Sequence, residues 1–144
     1  MHTRLHLAGA DTFARFHSHP GSDLAAASQD VYNCYCQGNV SEKEYTFYFT
    51  PQRKDRFRYY HYLVRGRIVR FRIQYEARIG EKWHAIVRYD TAHGCPHKDV
   101  LHPDGAQDKV EFYGYSREEA LTLGERDIKA NWRRYRAEYE GEIK

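Results

Sequence analysis

The stretch "RIVRFRIQYEA", Arg67–Ala77, decides the fold. Val69, Phe71, Ile73 and Tyr75 alternate with Arg70, Arg72, Gln74 and Glu76. Successive side chains leave a β-strand on opposite sides, so this run makes one apolar and one polar ribbon. Arg65-Gly66 before it and Gly80-Glu81 after it are tight-turn signals. A strand bounded by two short turns pairs with its sequence neighbours in an antiparallel meander.

The neighbours fit that reading. Upstream, "RFRYYHYLV" is rich in strand-forming residues, and "KEYTFYFT" alternates Tyr45, Phe47 and Phe49 with Thr46, Tyr48 and Thr50. Downstream, "KWHAIVRYD" alternates Trp83, Ala85, Val87 and Tyr89 with His84, Ile86, Arg88 and Asp90. After the Pro103-Asp104-Gly105 turn, "DKVEFYG" supplies another short strand. One face of this sheet is expected to be buried and the other wet.

The chain then changes period. In "YSREEALTLGERDIKANWRRYRAEYEG", Leu121, Ile128, Trp132, Tyr135 and Tyr139 recur at helical spacing. Ser116 and Glu119 have capping-box spacing, and Gly141 is a natural stop. The fold class is therefore α+β: an antiparallel meander of about four to five strands packed against a long C-terminal helix. A single domain is expected over 41–144. Residues 1–40 read as a loosely organised arm, with a short helix near Ala8–Phe16 and a solvated turn carrying His17 and His19.

Composition narrows the function classes. The 144 residues carry 23 basic and 20 acidic side chains, a net charge of +3, so total charge alone does not argue for a nucleic-acid partner. The 13 tyrosines suit half-buried strands and also base stacking. Three cysteines, with Cys34 and Cys36 close and Cys95 alone, make no disulfide framework and point to a reducing cytoplasm. No run is long and apolar enough for a membrane helix, and the first residues lack a signal-peptide core.

Distribution says more than total charge. Arg70 and Arg72 share the polar ribbon, and Arg88 lies on the neighbouring strand. On the helix, Arg126, Lys129, Arg133 and Arg136 form a stripe beside the apolar face. With Tyr59, Tyr60 and Tyr62 nearby, these cations are candidates for phosphate contacts on RNA.

The segment "RYDTAHGCPHKDVLHPDG", Arg88–Gly105, concentrates proton-carrying groups in one connection. Three chemistries fit it. In acid–base catalysis, His93 and His97 act as base and acid, Arg88 or Lys98 steadies a phosphorane, Asp90 or Asp99 orients an imidazole, and Tyr89 adds a hydrogen bond. In a metal site, His93, His97 and His102 join Asp90 or Cys95 around a divalent ion. In a structural turn, the same residues only close the loop. His61 and His84 fall within strands and read as structural.

Two of these stretches, "VRYDTAHGCPHKD" and "RDIKANWRRY", carry a family resemblance. Over roughly half its length the chain resembles the TumE-like toxin components of prokaryotic toxin–antitoxin operons, short sheet-plus-helix domains with a Tyr-Asp ahead of a Gly/His-rich turn. The resemblance implies a toxin acting through RNA or the translation apparatus, and a cognate antitoxin as protein partner. It carries Tyr89, Asp90, His93 and His97 over as site residues. The Cys95-Pro96 step and the "VLHPDG" tail depart from that family's shorter basic turn.

The resulting expectation is a metal-independent endoribonuclease that needs no cofactor. His93 and His97 do the proton transfers, Arg88 and Lys98 bind phosphate, and Arg70, Arg72, Lys129 and Arg133 grip RNA. The alternatives are a non-catalytic RNA- or protein-binding module and a metal-dependent hydrolase. An exposed sheet edge would favour a homodimer.

Overall fold

The computed structural model describes residues 31–33 and 39–144. Most of the expected arm, including Ala8–Phe16, His17 and His19, lies outside them. The described chain is α+β, as its alternation and helical spacing require. Its strands are β1 (Val31–Asn33), β2 (Val40–Tyr48), β3 (Asp55–Val64), β4 (Arg67–Ile79), β5 (Lys82–Asp90), β6 (His97–Leu101) and β7 (Gln107–Glu111). They lie side by side in chain order, each antiparallel to the next. Six are five residues or longer, and β1 is a three-residue edge.

The stretch that decides the fold is β4, at the centre of the order. Its two turns have the backbone that their residues suggested. Arg65 (φ 51°) and Gly66 (φ 74°) both lie in the left-handed region, as a two-residue hairpin matching strand twist requires. Gly80 (φ 61°) does the same between β4 and β5.

Two strands exceed the expected number, and β6 matters most. The histidine-rich segment reads as one long connection, yet its turns are confined to 91–96 and 102–106. His97–Leu101 pairs with β5 on one side and β7 on the other. No Gly or Pro falls within His97–Leu101, and the Pro96 carbonyl before it accepts a hydrogen bond from Phe112 N–H at 2.9 Å.

The helix, α1 (Arg117–Glu142), starts on the expected capping box. Ser116 Oγ accepts from Glu119 N–H, and the Glu119 carboxylate accepts from Ser116 N–H. Its buried residues include Leu121, Gly124, Ile128, Trp132, Tyr135 and Tyr139. They cover Tyr59, Phe71, Ile73, Tyr75, Val87 and Tyr89, the apolar ribbons of β3, β4 and β5.

Gly124 sets how closely the two layers approach. A Cβ there would lie 2.7 Å from the Tyr89 ring and 2.8 Å from Ile73 Cδ1. A helical glycine costs about 1 kcal/mol against alanine, so here propensity gives way to contact.

The opposite face of the sheet corrects one expectation. It is polar, but its centre is not wet: Gln74 and Glu76 are 0% exposed and Arg72 is 7%. Alternation tells which side a residue faces, not whether water reaches it. Glu76 accepts from Arg56 Nε and Gln74 Nε2, each at 2.5 Å, and lies 3.6 Å from Arg58 Nη1. The Arg56 guanidinium sits 4.0 Å over the Trp83 ring. Buried charges persist where each finds a partner, and this face is a lattice of such pairs.

Candidate functional site

The β5–β6 register builds the densest charged cluster. Asp90 pairs with His97, Tyr89 with Lys98, and Arg88 with Asp99. Residues opposite one another share a face. The i, i+2 pairs Arg88/Asp90 and His97/Asp99 therefore meet on the polar face, while Tyr89 and Lys98 turn to the helix. On β4, Arg72 lies opposite Asp90 and completes the cluster.

Its geometry is tight. Arg88 Nη2 donates to Asp99 Oδ2 at 2.8 Å, and Arg88 Nε lies 3.2 Å from Asp90 Oδ2. Arg72 Nη2 is 3.4 Å from the same Asp90 oxygen. His97 Nε2 stands 3.1 Å from Asp90 Oδ1 and 3.5 Å from Asp99 Oδ2. Ala92 N–H donates to Asp90 Oδ1 at 2.9 Å, which ties the start of the turn to the cluster. Asp90, His97 and Asp99 are all buried.

The ring's other nitrogen is also engaged. His97 Nδ1 lies 3.0 Å from the Cys95 carbonyl, which can only accept, so Nδ1 carries a proton. His93 remains exposed, its ring 6.3 Å from that of His97. Thus the two imidazoles are near each other, but His97 turns inward. Beside the turn opens a groove of about 430 Å³, lined by Arg67, Gly94, Pro96, Tyr115, Arg117 and Glu118 among others. The Asp90, His97 and Asp99 side chains do not line it.

The remaining expected site residues lie elsewhere. His102 is at the far end of β6 between Glu142 (2.8 Å) and Asp108 (3.1 Å), whose carboxylates push its pKa up. The trio His93, His97 and His102 is therefore not gathered around one point. Cys95 is half-buried, and its thiol lies 3.6 Å from the Pro96 carbonyl. His61 and His84 lie within strands, hydrogen-bonded to Tyr59 OH at 2.7 Å and Tyr139 OH at 3.1 Å.

Tyr89 and Lys98 join a network that the sequence reading missed. Asp127 Oδ2 accepts from Tyr89 OH and Tyr135 OH at 2.6 Å each, and from Lys98 Nζ at 3.0 Å. Asn131 Nδ2 donates to its other oxygen at 2.8 Å. Burial alone would push the Asp127 carboxyl up; the bonds from Tyr135, Tyr89 and Lys98 outweigh it and hold it below the usual range. The signal was the helical spacing of Asp127, Asn131 and Tyr135.

A depressed folded-state pKa stabilises the fold above the unfolded value and loses that contribution as pH falls through the folded value. Asp127→Asn should cost about 2 kcal/mol near neutrality. The gap between variant and wild type should close as pH drops below about 4, the unfolded carboxyl range. Urea titrations at both pH values measure it, and a gap unchanged at acid pH would contradict the assignment.

The cations expected to bind phosphate separate into two groups. Arg72 and Arg88 are committed to buried carboxylates, and Lys98 to the helix interface. Arg70 is exposed, its guanidinium 5.6 Å from the Tyr62 ring and 6.0 Å from the Tyr60 ring. Lys129 and Arg133 are exposed on α1, as is Arg126. Arg136 is held by Asp55 and Glu140 at 2.7 Å each.

No helix is long and apolar enough to cross a membrane among the described residues. No curated protein and no solved structure matches the chain. Residues 40–144, from the start of β2 to the last residue, match the model of one family, and the chain belongs to it: Domain of unknown function (DUF7718).

Proposed function

We propose that the domain binds single-stranded RNA along the flank where α1 meets β2 and β3. The observation that carries this reading is the exposed stripe Arg126, Lys129 and Arg133. Among the described residues Arg126 and Arg133 have no carboxylate partner, whereas the buried arginines of the sheet are neutralised. Aromatic side chains accompany the stripe. Phe47 is 46% exposed and packs edge-on to Phe49. Phe49 stacks on Trp132 at 5.0 Å, and Arg133 caps the Trp132 ring at 4.5 Å. Cations that track phosphates beside rings that stack on bases are what sequence-tolerant single-strand binding needs.

The resemblance to toxin components gives such binding a role. The RNA would be the target through which a toxin slows growth, a cognate antitoxin would be the protein partner, and the cytoplasm the compartment. Cleavage is the second reading, favoured by one observation: the exposed His93 ring beside His97. His93 would act alone at the surface, with His97 buried behind it.

Fluorescence anisotropy with a labelled single-stranded RNA tests both. Three phosphate contacts on a single strand give a log–log salt slope of about −2. Affinity should then fall roughly twentyfold between about 50 and 200 mM salt. Arg126→Glu combined with Arg133→Glu should weaken binding at least tenfold without lowering Tm. Binding that ignores this double variant would overturn the proposal. RNA cleavage in excess chelator, abolished by His93→Ala, would establish the second reading.

A further inference from the structure

We infer that Asp90, His97 and Asp99 form a binding site for a divalent transition metal of the zinc or manganese class. One ligand atom from each lies within 4.8 Å of the others, and all three residues are buried. Three features point to a cation between them. Because His97 Nδ1–H is committed to the Cys95 carbonyl, Nε2 is the nitrogen left to bind. A backbone bond of this kind fixes tautomer and ring orientation in metal-ligating histidines. Nε2 lies 3.1 Å from Asp90 Oδ1 and 3.5 Å from Asp99 Oδ2, so one nitrogen and two carboxylates converge on one point. Finally, Asp99 Oδ1 is buried without a hydrogen-bond partner, on a residue 1% exposed.

The arginines define which oxygens remain. Arg88 takes Asp99 Oδ2, and both Arg72 and Arg88 lie against Asp90 Oδ2. Asp99 Oδ1 is left without a donor, and Asp90 Oδ1, which accepts from Ala92 N–H, keeps a second lone pair beside His97 Nε2. One imidazole and two carboxylates suit zinc and manganese better than copper(I), which prefers sulfur. The guanidinium charges lower the affinity relative to an all-acidic site, since they already offset both carboxylates. A bound ion would cross-link the end of β5 to the start of β6 and lock the Thr91–Pro96 turn.

The full chain, stripped with chelator and dialysed, is titrated with Zn²⁺, Mn²⁺ or Co²⁺. We expect one equivalent to bind and Tm to rise by about 10 °C at a hundredfold excess over Kd. Co²⁺ should give the visible absorption of a low-coordinate N/O site. His97→Gln should abolish the absorption and the Tm shift. If that variant does not fold, Asp99→Asn, which keeps side-chain volume, serves instead. Either of two outcomes overturns the site: no Tm shift with any of the three ions, or binding unchanged in both variants.

Discussion

Asp90→Ala should cost about 3–5 kcal/mol, the range for removing one partner of a buried ion pair. That is a large part of the stability of a domain this size. The substitution deletes the carboxylate shared by Arg72, Arg88, His97 and Ala92 N–H. It leaves two guanidiniums with one carboxylate of the cluster, Asp99, on a face where Arg72 is 7% exposed. Asp90→Asn keeps the shape and an acceptor for Ala92 N–H, and should lose less. Tyr89→Phe, one residue away on the helix side, removes a single hydrogen bond to Asp127 and should cost about 1–2 kcal/mol. Urea denaturation followed by circular dichroism ranks the three. Equal losses for Asp90→Ala and Tyr89→Phe would show that the cluster is not the dominant polar support.

Gly124→Val should destabilise by about 2–3 kcal/mol through overpacking. Its Cβ meets the Tyr89 ring at 2.7 Å, and that ring cannot retreat easily. Tyr89 stacks on Phe112 at 5.8 Å with an interplanar angle of 4°, and its hydroxyl is fixed by Asp127. Ile73 Cδ1, the other close atom, is the end of a flexible side chain and can shift. Gly124→Ala gains about 1 kcal/mol of helix propensity, which offsets part of its smaller clash. The thermal midpoints should therefore fall in the order wild type, alanine, valine. A valine variant as stable as wild type would mean that the helix sits further from β4 and β5 than described.

These two positions also show what the sequence disclosed and what it hid. The central strands were legible because β4 alternates strictly and its turns carry glycine at the required left-handed positions. The helix was legible because its capping box and apolar spacing agree. Strand β6 was hidden by composition: its five residues follow Cys95-Pro96 and read as a continuation of the turn. Gly124 was hidden because a helical glycine reads as a weak point rather than a contact.

The candidate site was half legible. Asp90 and His97 stood out for their chemistry, but their surroundings did not. The missing step was to set Arg88-x-Asp90 against His97-x-Asp99 across a hairpin, which makes acid oppose base on one face. Burial of that face could not be read at all, because Arg72, Gln74 and Glu76 look solvent-facing one residue at a time. Their pairing is a property of four adjacent strands. The helix stripe fared better, since exposure on a helix follows directly from its apolar spacing.

The buried lattice consumes Arg56, Arg58, Arg72, Arg88 and His97, and leaves the α1 flank as the surface proposed to meet RNA. Photo-cross-linking of a 4-thiouridine RNA to the full chain, mapped by mass spectrometry, tests it most directly. Cross-links are expected at Phe47 and along 126–133. Cross-links confined to Thr91–His97, with the α1 flank untouched, would contradict it.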